Sequence, residues 1–379
     1  MSVFFGAHNI ISPLGFTSRE NFDALLNGKS ALKKKSFPFS EKEIFCSTLE
    51  ESEVDKRFSK LGNAKNFTHL EKLSILSVKD VVDQSGIDLS DKNNLLIVST
   101  TKGNIDILEN NYPHLPQKRA YLTEFAKIVG DFFKSVNTPI VVSNACISGL
   151  LAIIIAKRFI DADKYKNIIV CGADLVSEFT LSGFKSFNAM SDEACKPFDA
   201  NRTGINLGEA VASILLSYDK LSNIQIISGA SANDANHISG PSRNGDGLYQ
   251  AVTETLAKAN KTNVDFISAH GTATEYNDEM ESIAFSRAGI SSSPLNSLKG
   301  YYGHTLGTAG VLESIISILS LQENTLIKSM GFEIPGTSQV LNMITKTETK
   351  DPIAIGLKTC LKTTSGFGGC NAAAIFEKL

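Results

Sequence analysis

The 379-residue sequence lacks the signals of secreted, membrane-spanning and metal-binding chains. None of its six cysteines belongs to a C-x-x-C pair, so neither a disulfide framework nor a zinc site is indicated and reduced thiols are expected. No apolar run reaches transmembrane length, and the amino terminus has no basic region ahead of an apolar one. No G-x-G-x-x-G follows a predicted strand. We therefore expect a cytoplasmic protein with no bound metal or cofactor.

Excess charge of either sign is also missing. Charged residues make up 20% of the chain and the net charge is −3, too small to indicate nucleic acid or a membrane as the main partner. The hydrophobic content of 42% is that of a globular protein, and the length allows one large or two ordinary domains. No low-complexity segment or Pro/Ser-rich linker interrupts the chain, so we expect compact packing throughout.

Short apolar runs alternate with helical patterns, and the same order of elements occurs twice. Two strand-like segments close each half of the chain: residues 167–172 and 211–217, then 353–357 and 371–376. Near-continuous apolar strands of this kind, with 94–99 and 224–228, belong to sheets covered by helices on both faces, which predicts an α/β fold. The repeated order predicts two similar domains, residues 1–220 and 221–379.

Cys146 lies among small residues, 143–149, directly before the apolar run 150–156. This pattern predicts a cysteine at the amino end of a buried helix, where unpaired N–H groups and the helix dipole favour the thiolate. An isolated cysteine in such a place more often fills space. Two histidines downstream, each beside glycines, favour a nucleophilic role for Cys146 instead.

These histidines are His270 and His304. His270 follows an apolar strand at 264–267, and ligand sites form at the carboxyl ends of such strands. Lys299 and His304 precede a predicted helix that carries Glu313. Taken singly, His270 is equally well explained as a structural histidine that is hydrogen-bonded to local backbone. A single lysine before a glycine, such as Lys299, is more often a solvated loop residue. Later, glycines at 366, 368 and 369 present Phe367 in a turn whose backbone can approach a ligand closely.

In this order the motifs resemble the β-ketoacyl-acyl-carrier-protein synthases of the type I/II kind, essentially from end to end. The matching segments are Cys146, 196–204, 270–272, Lys299 with 303–304, and 366–369. The resemblance implies a thiolase fold, in which duplicated βαβα halves form a five-layered α-β-α-β-α core. It also implies a dimer, either of identical chains or with a related ketosynthase or chain-length factor.

The resemblance further implies a role for each matching residue. Cys146 would carry the acyl chain as a thioester, and its backbone N–H and that of Phe367 would form an oxyanion hole. Phe367 would also be the gate for the second substrate. His270 and His304 would stabilise the enolate that forms as malonyl-carrier protein loses carbon dioxide.

Other matching residues would support these steps. Lys299 and Glu313 would form a charged pair beside the histidines. Thr272 and Thr274 would bind the phosphopantetheine arm of acyl carrier protein, which would arrive with the substrate. Because carrier proteins are acidic, basic residues would dock them, and the candidates are Arg202, Lys196, Lys60 and Lys65. Ordinary solvated surface explains the two N-terminal lysines equally well.

The sequence departs from the family pattern in several places. It is shorter than the usual elongating synthase, largely between Thr101 and Cys146, a region that contributes to the dimer interface and acyl tunnel of the family. Residues 275–278 replace the usual Thr-Pro-x-Gly-Asp, and Thr364-Ser365 stands where Asn-Ser is common. These changes favour a divergent branch, of aryl-polyene or polyketide type, and leave the acyl chain and pathway open.

The leading prediction is an acyltransferase, a β-ketoacyl synthase of fatty-acid, aryl-polyene or polyketide-type biosynthesis that performs a decarboxylative Claisen condensation. Two alternatives share the fold. A chain-length-factor-like partner subunit usually lacks the nucleophile, which is intact here as Cys146. A thiolase acting on coenzyme A esters uses a Cys-His-Cys set in which a second cysteine is the base, and Cys370 is the only candidate for it. His304 occupies the second-histidine position of the synthases, which makes the thiolase the weaker alternative.

Overall fold

A long mixed sheet runs through the molecule and falls into two similar halves. The computed structural model describes residues 2–109, 111–238, 240–350 and 356–379. The strands up to residue 217 are β1 (Val3–Ile11), β2 (Lys33–Lys35), β3 (Ile44–Ser47), β4 (Asn94–Ser99), β5 (Ile140–Val142), β6 (Asn167–Asp174), β7 (Leu207–Gly208) and β8 (Ala210–Ser217). The helices of this part are α1 (Ser18–Leu26), α2 (Glu51–Phe58), α3 (His69–Ser85), α4 (Leu122–Phe132), α5 (Ser148–Asp161) and α6 (Glu178–Ser186).

The remainder of the chain repeats this arrangement with fewer elements. Its strands are β9 (Ile224–Asn233), β10 (Phe266–Ser268), β11 (Leu295–Asn296), β12 (Thr325–Leu326), β13 (Glu348–Thr349), β14 (Thr359–Gly366) and β15 (Cys370–Lys378). Its helices are α7 (Asp246–Lys258), α8 (Glu275–Arg287), α9 (Lys299–Tyr302) and α10 (Ala309–Glu323). Short 3₁₀ turns occur at 64–66, 105–109, 117–120 and 306–308.

Strand order shows the duplication. The main sheet runs β11-β10-β14-β15-β9-β1-β8-β6-β4-β5. Outwards from its middle, the order β1-β8-β6-β4-β5 matches β9-β15-β14-β10-β11, with two antiparallel pairings followed by two parallel ones on each side. Between β1 and β9 the ladder has two residue pairs. Small side sheets are β2-β3-β7 and β12-β13. The predicted α/β fold with duplicated halves is confirmed.

Helices cover both faces of each half-sheet, which gives five layers. Helices α5 and α10 pack on one another between the halves, α3 lies against β1, β6 and β8, and α7 lies against β9 and β15. Every residue of α10 from Ala309 to Leu321 is buried, Glu313 included, because other elements surround this helix on all sides. Among the described residues, no helix combines the length and apolar character needed to cross a bilayer.

The two central helices meet backbone to backbone where they begin. A Cβ on Gly310 would lie 2.1 Å from the nitrogen of Leu150, and one on Gly149 would lie 2.8 Å from the nitrogen of Val311. Only glycine permits so close an approach. It draws together the turn before α5, which contains Cys146, and the turn before α10.

The second half differs from its prediction at one strand. Residues 353–355 of the strand predicted at 353–357 lie outside the described part of the chain, and β15 pairs with β14 on one side and with β9 on the other. The sequence of β14 is largely polar, which hid it, although Lys362, Thr363 and Thr364 are fully buried in it. The domain boundary at residues 220–221 stays a prediction.

Candidate active site

A cavity of about 560 Å³ opens where several strands of the two halves end. Its wall includes Cys146, His270, His304 and Phe367. Cys146 follows β5, His270 follows β10 and Phe367 follows β14, so these side chains come from loops beyond the carboxyl ends of strands. This is the place where α/β sheets generally bind ligands.

Cys146 sits in a strained turn two residues before the first residue of α5. Ala145 has φ of 43°, a left-handed conformation that alanine rarely adopts. The Ser148 hydroxyl holds the turn, since it accepts from the backbone N–H of Asn144 (2.8 Å) and donates to the carbonyl of Ala145 (2.6 Å). The predicted position of Cys146 at a helix start therefore holds.

The ionisation of Cys146 is governed by burial. The residue is 7% exposed, and burial raises the pKa of Cys146 to about 12, with the neighbouring Cys370 adding to the rise. Lys299 and Lys102 oppose it, but their effect on the pKa is smaller. The thiol therefore prevails before substrate binds. The thiolate preference predicted from the helix start meets a larger opposing effect from desolvation.

His304 presents a ring N–H to the cavity. The backbone N–H of Leu306 donates to Nδ1 of His304 at 3.2 Å, so Nδ1 is an acceptor and the proton of the neutral ring lies on Nε2. Burial, followed by the charges of Lys299 and Lys362, holds the pKa of His304 well below its usual value. Nε2 is buried and has no hydrogen-bond partner in the described part of the chain. It is a donor available to a ligand.

His270 lies beside it in a rigid loop. The two ring centroids are 5.0 Å apart at an interplanar angle of 82°. The backbone N–H groups of His270 and Gly271 donate to the Glu281 carboxylate at 2.9 and 2.6 Å, and the His270 carbonyl accepts from Lys299 Nζ at 3.0 Å. Burial, then Lys299, His304 and Lys362, lowers the pKa of His270 well below its usual value. Both rings are neutral at physiological pH.

The three groups form one cluster. The sulfur of Cys146 and a nitrogen of each histidine all lie within 4.8 Å of one another. Sulfur and imidazole ligands at this separation are of a kind that holds soft metal ions. The ammonium groups of Lys299 and Lys362, both buried and both lowering the pKa of the histidines, repel a cation from this position. The arrangement suits a developing negative charge better.

Behind the histidines lies a buried ion cluster. Lys299 Nζ is 2.5 Å from Oε1 of Glu313, and Lys362 Nζ is 2.7 Å from Oε2. Burial alone would raise the pKa of Glu313, but the two lysines outweigh it and hold the pKa below its usual value. The predicted Lys299–Glu313 pair is therefore present, and sequence reasoning missed Lys362. The one signal for it was a single cation in an otherwise uncharged strand.

The glycine-rich turn brings Phe367 over the cavity. A Cβ on Gly366 would lie 3.0 Å from the nitrogen of Cys146, so the turn lies against the backbone of Cys146. The Phe367 ring stacks on Phe184 (centroids 5.6 Å) and contacts Phe187 edge-on (5.2 Å). Gly368 and Gly369 have φ of 83° and 72°. These positions let the turn fold back tightly.

Thr272 and Thr274 line the same cavity. Their hydroxyls are 2.8 Å apart, so each can serve as donor or acceptor to the other. Buried Asp278 fixes the loop, because its carboxylate accepts from the backbone N–H groups of Thr272 (2.9 Å) and Ala273 (3.1 Å). Sequence reasoning noticed residues 275–278 only as a departure from the family and missed this function of Asp278, as it missed Glu281.

Two of the four candidate docking residues, Arg202 and Lys196, differ in placement. Arg202 lines the cavity, and its guanidinium donates to the carbonyls of Asp199 (3.0 Å), Gly336 (2.5 Å) and Glu275 (3.3 Å). Lys196 is not part of the wall and lies 3.8 Å from the Glu193 carboxylate. Arg202 therefore ties together loops at the cavity, and docking of a carrier by either residue stays a prediction.

Two family models match this chain. The model of the β-ketoacyl synthase N-terminal domain matches residues 9–221, and that of the C-terminal domain matches residues 224–333.

Individual proteins are similar over different lengths. A mitochondrial protein of Schizosaccharomyces pombe, described as a putative 3-oxoacyl-[acyl-carrier-protein] synthase, is 32% identical over 62% of this chain and 60% of its own length. The 3-oxoacyl-[acyl-carrier-protein] synthase 2 of Vibrio harveyi is 24% identical over 98% of this chain and 97% of its own. The ketosynthase ApeO in complex with its chain length factor ApeC, from Xenorhabdus doucetiae, superposes with a TM-score of 0.83 at 21% identity, covering 100% of this chain and 98% of the other. At that identity the similarity shows the fold alone.

Proposed function

The chain belongs to the β-ketoacyl synthase family, and on that basis we propose that it condenses an acyl thioester with malonyl-acyl-carrier protein, with loss of carbon dioxide. The observation that carries this proposal is the meeting of one thiol and two neutral imidazoles within 4.8 Å. A thiol can hold an acyl group, and two neutral N–H donors can stabilise an enolate without giving it a proton.

Acyl transfer comes first. The sulfur of Cys146 attacks the carbonyl carbon of the acyl thioester, the new C–S bond forms as the bond to the carrier sulfur breaks, and the Cys146 proton ends on the departing carrier thiol. The backbone N–H groups of Cys146 and Phe367 donate to the oxyanion of the intermediate. The contact of the Gly366 backbone with Cys146 supports this placement.

Decarboxylation and condensation follow. The malonyl group loses its carboxylate as carbon dioxide, and the electron pair of the broken C–C bond forms an enolate whose oxygen accepts from His270 and from Nε2–H of His304. The enolate carbon attacks the acyl carbon on Cys146, a C–C bond forms and the C–S bond breaks. Cys146 leaves as a thiolate and takes one proton from solvent. Lys299 and Glu313 hold the histidine loops in place, and Phe367 moves aside to admit the malonyl arm.

The substrates arrive on a carrier. Phosphopantetheine, an arm of two amides ending in a thiol, fits beside Thr272 and Thr274, whose hydroxyls both donate and accept. Arg202 and Lys196 are the proposed contacts for an acidic acyl carrier protein. The enzyme needs no bound metal or further cofactor for these steps.

The assembly is proposed to be a dimer. A protein of this fold has been solved as a ketosynthase with its chain length factor, which supports a partner that is a second copy or a related subunit.

The divergence of residues 275–278 and of Thr364-Ser365 favours a secondary pathway of aryl-polyene or polyketide type. All six cysteines are free and buried, which fits the reducing cytoplasm.

Intact mass spectrometry tests the proposal. The purified protein is incubated with acyl-carrier protein and malonyl-carrier protein, and the masses of protein and carrier are followed. We expect an acyl adduct on Cys146 and then a β-ketoacyl carrier. No adduct from the protein alone, despite a thiol that iodoacetamide alkylates, would favour a heterodimeric enzyme. An adduct that forms from coenzyme A esters but never consumes malonyl-carrier protein would favour the thiolase alternative.

A further inference from the structure

Lys362 has no part in the steps above, yet it lies at their centre. Its side chain is fully buried in β14, and Nζ contacts Glu313 Oε2 at 2.7 Å. The same ammonium donates to the carbonyls of Ser268 (3.0 Å), Ala269 (3.3 Å) and Thr363 (2.8 Å). Moving a lysine ammonium group fully out of water costs free energy, even when each of its protons has an acceptor. A functional role for the charge would explain why it is present.

Its contacts continue those of the other lysine. Ser268 and Ala269 accept from Lys362, and the next carbonyl, that of His270, accepts from Lys299. Three successive carbonyls at the end of β10 are therefore held by two ammonium groups. This fixes the loop that carries the His270 ring.

The charges do not cancel. With both lysines protonated, the two lysines and one glutamate, which stays ionised because both lysines hold its pKa down, leave one net positive charge directly behind the imidazoles. Burial lowers the pKa of Lys362, and the Glu313 carboxylate opposes that fall. Other titratable groups near the two rings include Cys146, whose pKa is raised to about 12, and Glu281, whose pKa is raised to about 7, and the Cys195 thiol donates to the carbonyl of Lys299 at 3.3 Å. Asp174 approaches from β6, where it accepts from the backbone N–H of Gly307 at 2.7 Å.

We propose that Lys362 is a positioning residue of the site. Its ammonium group holds the loop of His270 and supplies the unbalanced positive charge behind the imidazoles, which stabilises the enolate. This inference rests on the proposed function, because it assigns the charge to the decarboxylation step. The Lys299–Glu313 pair alone has no net charge, so the net positive charge of the cluster depends on Lys362.

Two substitutions separate charge from packing. Lys362→Gln removes the charge but keeps an N–H donor for the carbonyls, and Lys362→Met removes both. Lys378→Met is the matched control, because Lys378 also donates to two carbonyls, those of Leu321 (2.9 Å) and Gln322 (3.3 Å), but contacts no group of the site. Thermal unfolding of each variant reports how much stability is lost. If Lys362→Met does not fold, Lys362→Gln carries the test.

The main readout is the pH dependence of carbon dioxide release from malonyl-pantetheine between pH 5.5 and 8.5. In the wild type both histidines stay neutral over this range, so the pH dependence of kcat that we expect is that of Glu281, whose pKa is about 7 and whose carboxylate accepts from the backbone N–H of His270. In both Lys362 variants we expect kcat to fall about tenfold at pH 8, and about fivefold more at pH 5.5, because removing a cation raises the pKa of each histidine and of Glu281. KM should change little. Profiles that run parallel to that of the wild type would overturn the proposal and leave Lys362 a packing residue.

A double variant restores the charge balance. Lys362→Met with Glu313→Gln leaves Lys299 as one net positive charge, as in the wild type. We expect its acid fall-off to match that of the wild type even though kcat remains low. An acid fall-off as steep as that of Lys362→Met would contradict the electrostatic role.

Histidine NMR titration tests the inference without catalysis. The ring signals of His270 and His304, assigned by substitution, should titrate at higher pH in Lys362→Gln than in the wild type, and unchanged titration would refute the proposal. If the wild type itself releases no carbon dioxide, the proposed function fails. If the wild type is active and the Lys362 variants keep its profile, only the role of Lys362 fails.

Discussion

The turns that precede α5 and α10 occupy the same place in the two halves, yet their surroundings are opposite. The first presents Cys146, a neutral thiol, in a turn that is fixed by the Ser148 hydroxyl and by the left-handed conformation of Ala145. The second presents His304, backed by Glu313 and two lysines that are all buried. Duplication thus supplies one frame, and different charges in its two copies supply different chemistry. The first half suits acyl transfer, and the second suits stabilisation of a negative charge.

The largest effect should come from removing the nucleophile. Cys146→Gln should abolish acyl loading and condensation, a loss of at least about 10⁴-fold, because no other group can form the thioester. Carbon dioxide release from malonyl-carrier protein should persist, since the histidine half is untouched. Mass spectrometry and carbon dioxide release measure the two activities, with Cys370→Ala as the control that keeps both. Condensation that survives in Cys146→Gln would end the division between the halves.

The reciprocal substitution should have a slightly smaller effect. His304→Ala should lower decarboxylation by about 10²- to 10³-fold, the usual cost of losing one oxyanion donor. Acyl loading should fall far less, because the proposed oxyanion hole for that step consists of the backbone N–H groups of Cys146 and Phe367 and not of the imidazoles. Loading is followed by mass and decarboxylation by carbon dioxide release. Equal losses in the two would show that the halves do not divide the work.

The pH dependence of the reactivity of Cys146 should show the effect of burial on its thiol. Since burial raises its pKa to about 12, the thiolate fraction should grow about tenfold per pH unit below that value. The rate of iodoacetamide alkylation should therefore increase about 100-fold from pH 7 to pH 9. Cys146→Gln serves as the blank for the other thiols. A plateau near pH 7 would mean that the helix start outweighs burial.

The contact between the central helices can be tested by stability. Gly310→Ala places a Cβ within 2.1 Å of the Leu150 nitrogen and should destabilise the protein by about 1–3 kcal/mol. Gly183→Ala, in α6 with open space around it, is the matched control and should be neutral or slightly stabilising. Denaturant unfolding measures both. Equal stability of the two variants would show that the helices can separate without cost.

The smallest effect is expected at the residues proposed for docking. Arg202→Glu should weaken binding of acyl carrier protein about tenfold at low salt and less at high salt, because Arg202 is only partly buried and salt screens its attraction to an acidic carrier. Surface plasmon resonance at two ionic strengths measures it, and Lys196→Glu provides the comparison within the same motif. Affinity that is independent of Arg202 would place the docking surface elsewhere.

Much of the fold could be predicted because its strands are apolar on both faces. The runs at 94–99, 167–172, 211–217 and 224–228 all lie in strands of the main sheet. Strand β14 could not be predicted in this way, because its buried Lys362 and Thr363 contact partners far away in the chain, Glu313 and Glu281. Periodicity reports which faces are buried and says nothing about such distant pairs.

The site was predictable to a similar degree. Cys146, His270 and His304 stood out because small residues and glycines surround them, and the structure brings all three together. Lys362, Glu281 and Asp278 escaped notice, since a single charged residue in a sequence is typical of a surface. Only the folded chain shows that all three are buried, that Lys362 pairs with Glu313, and that the two carboxyl groups accept from backbone N–H groups.

The central claim is that Cys146 carries the acyl group while the second half decarboxylates the malonyl group. A single-turnover experiment tests it most directly: acyl-loaded enzyme is mixed with malonyl-carrier protein labelled in its free carboxylate, and both products are quenched and counted. We predict that each β-ketoacyl product is matched by one labelled carbon dioxide and by one acyl group lost from Cys146. Product that appears without labelled carbon dioxide, or while Cys146 remains acylated, would contradict the account.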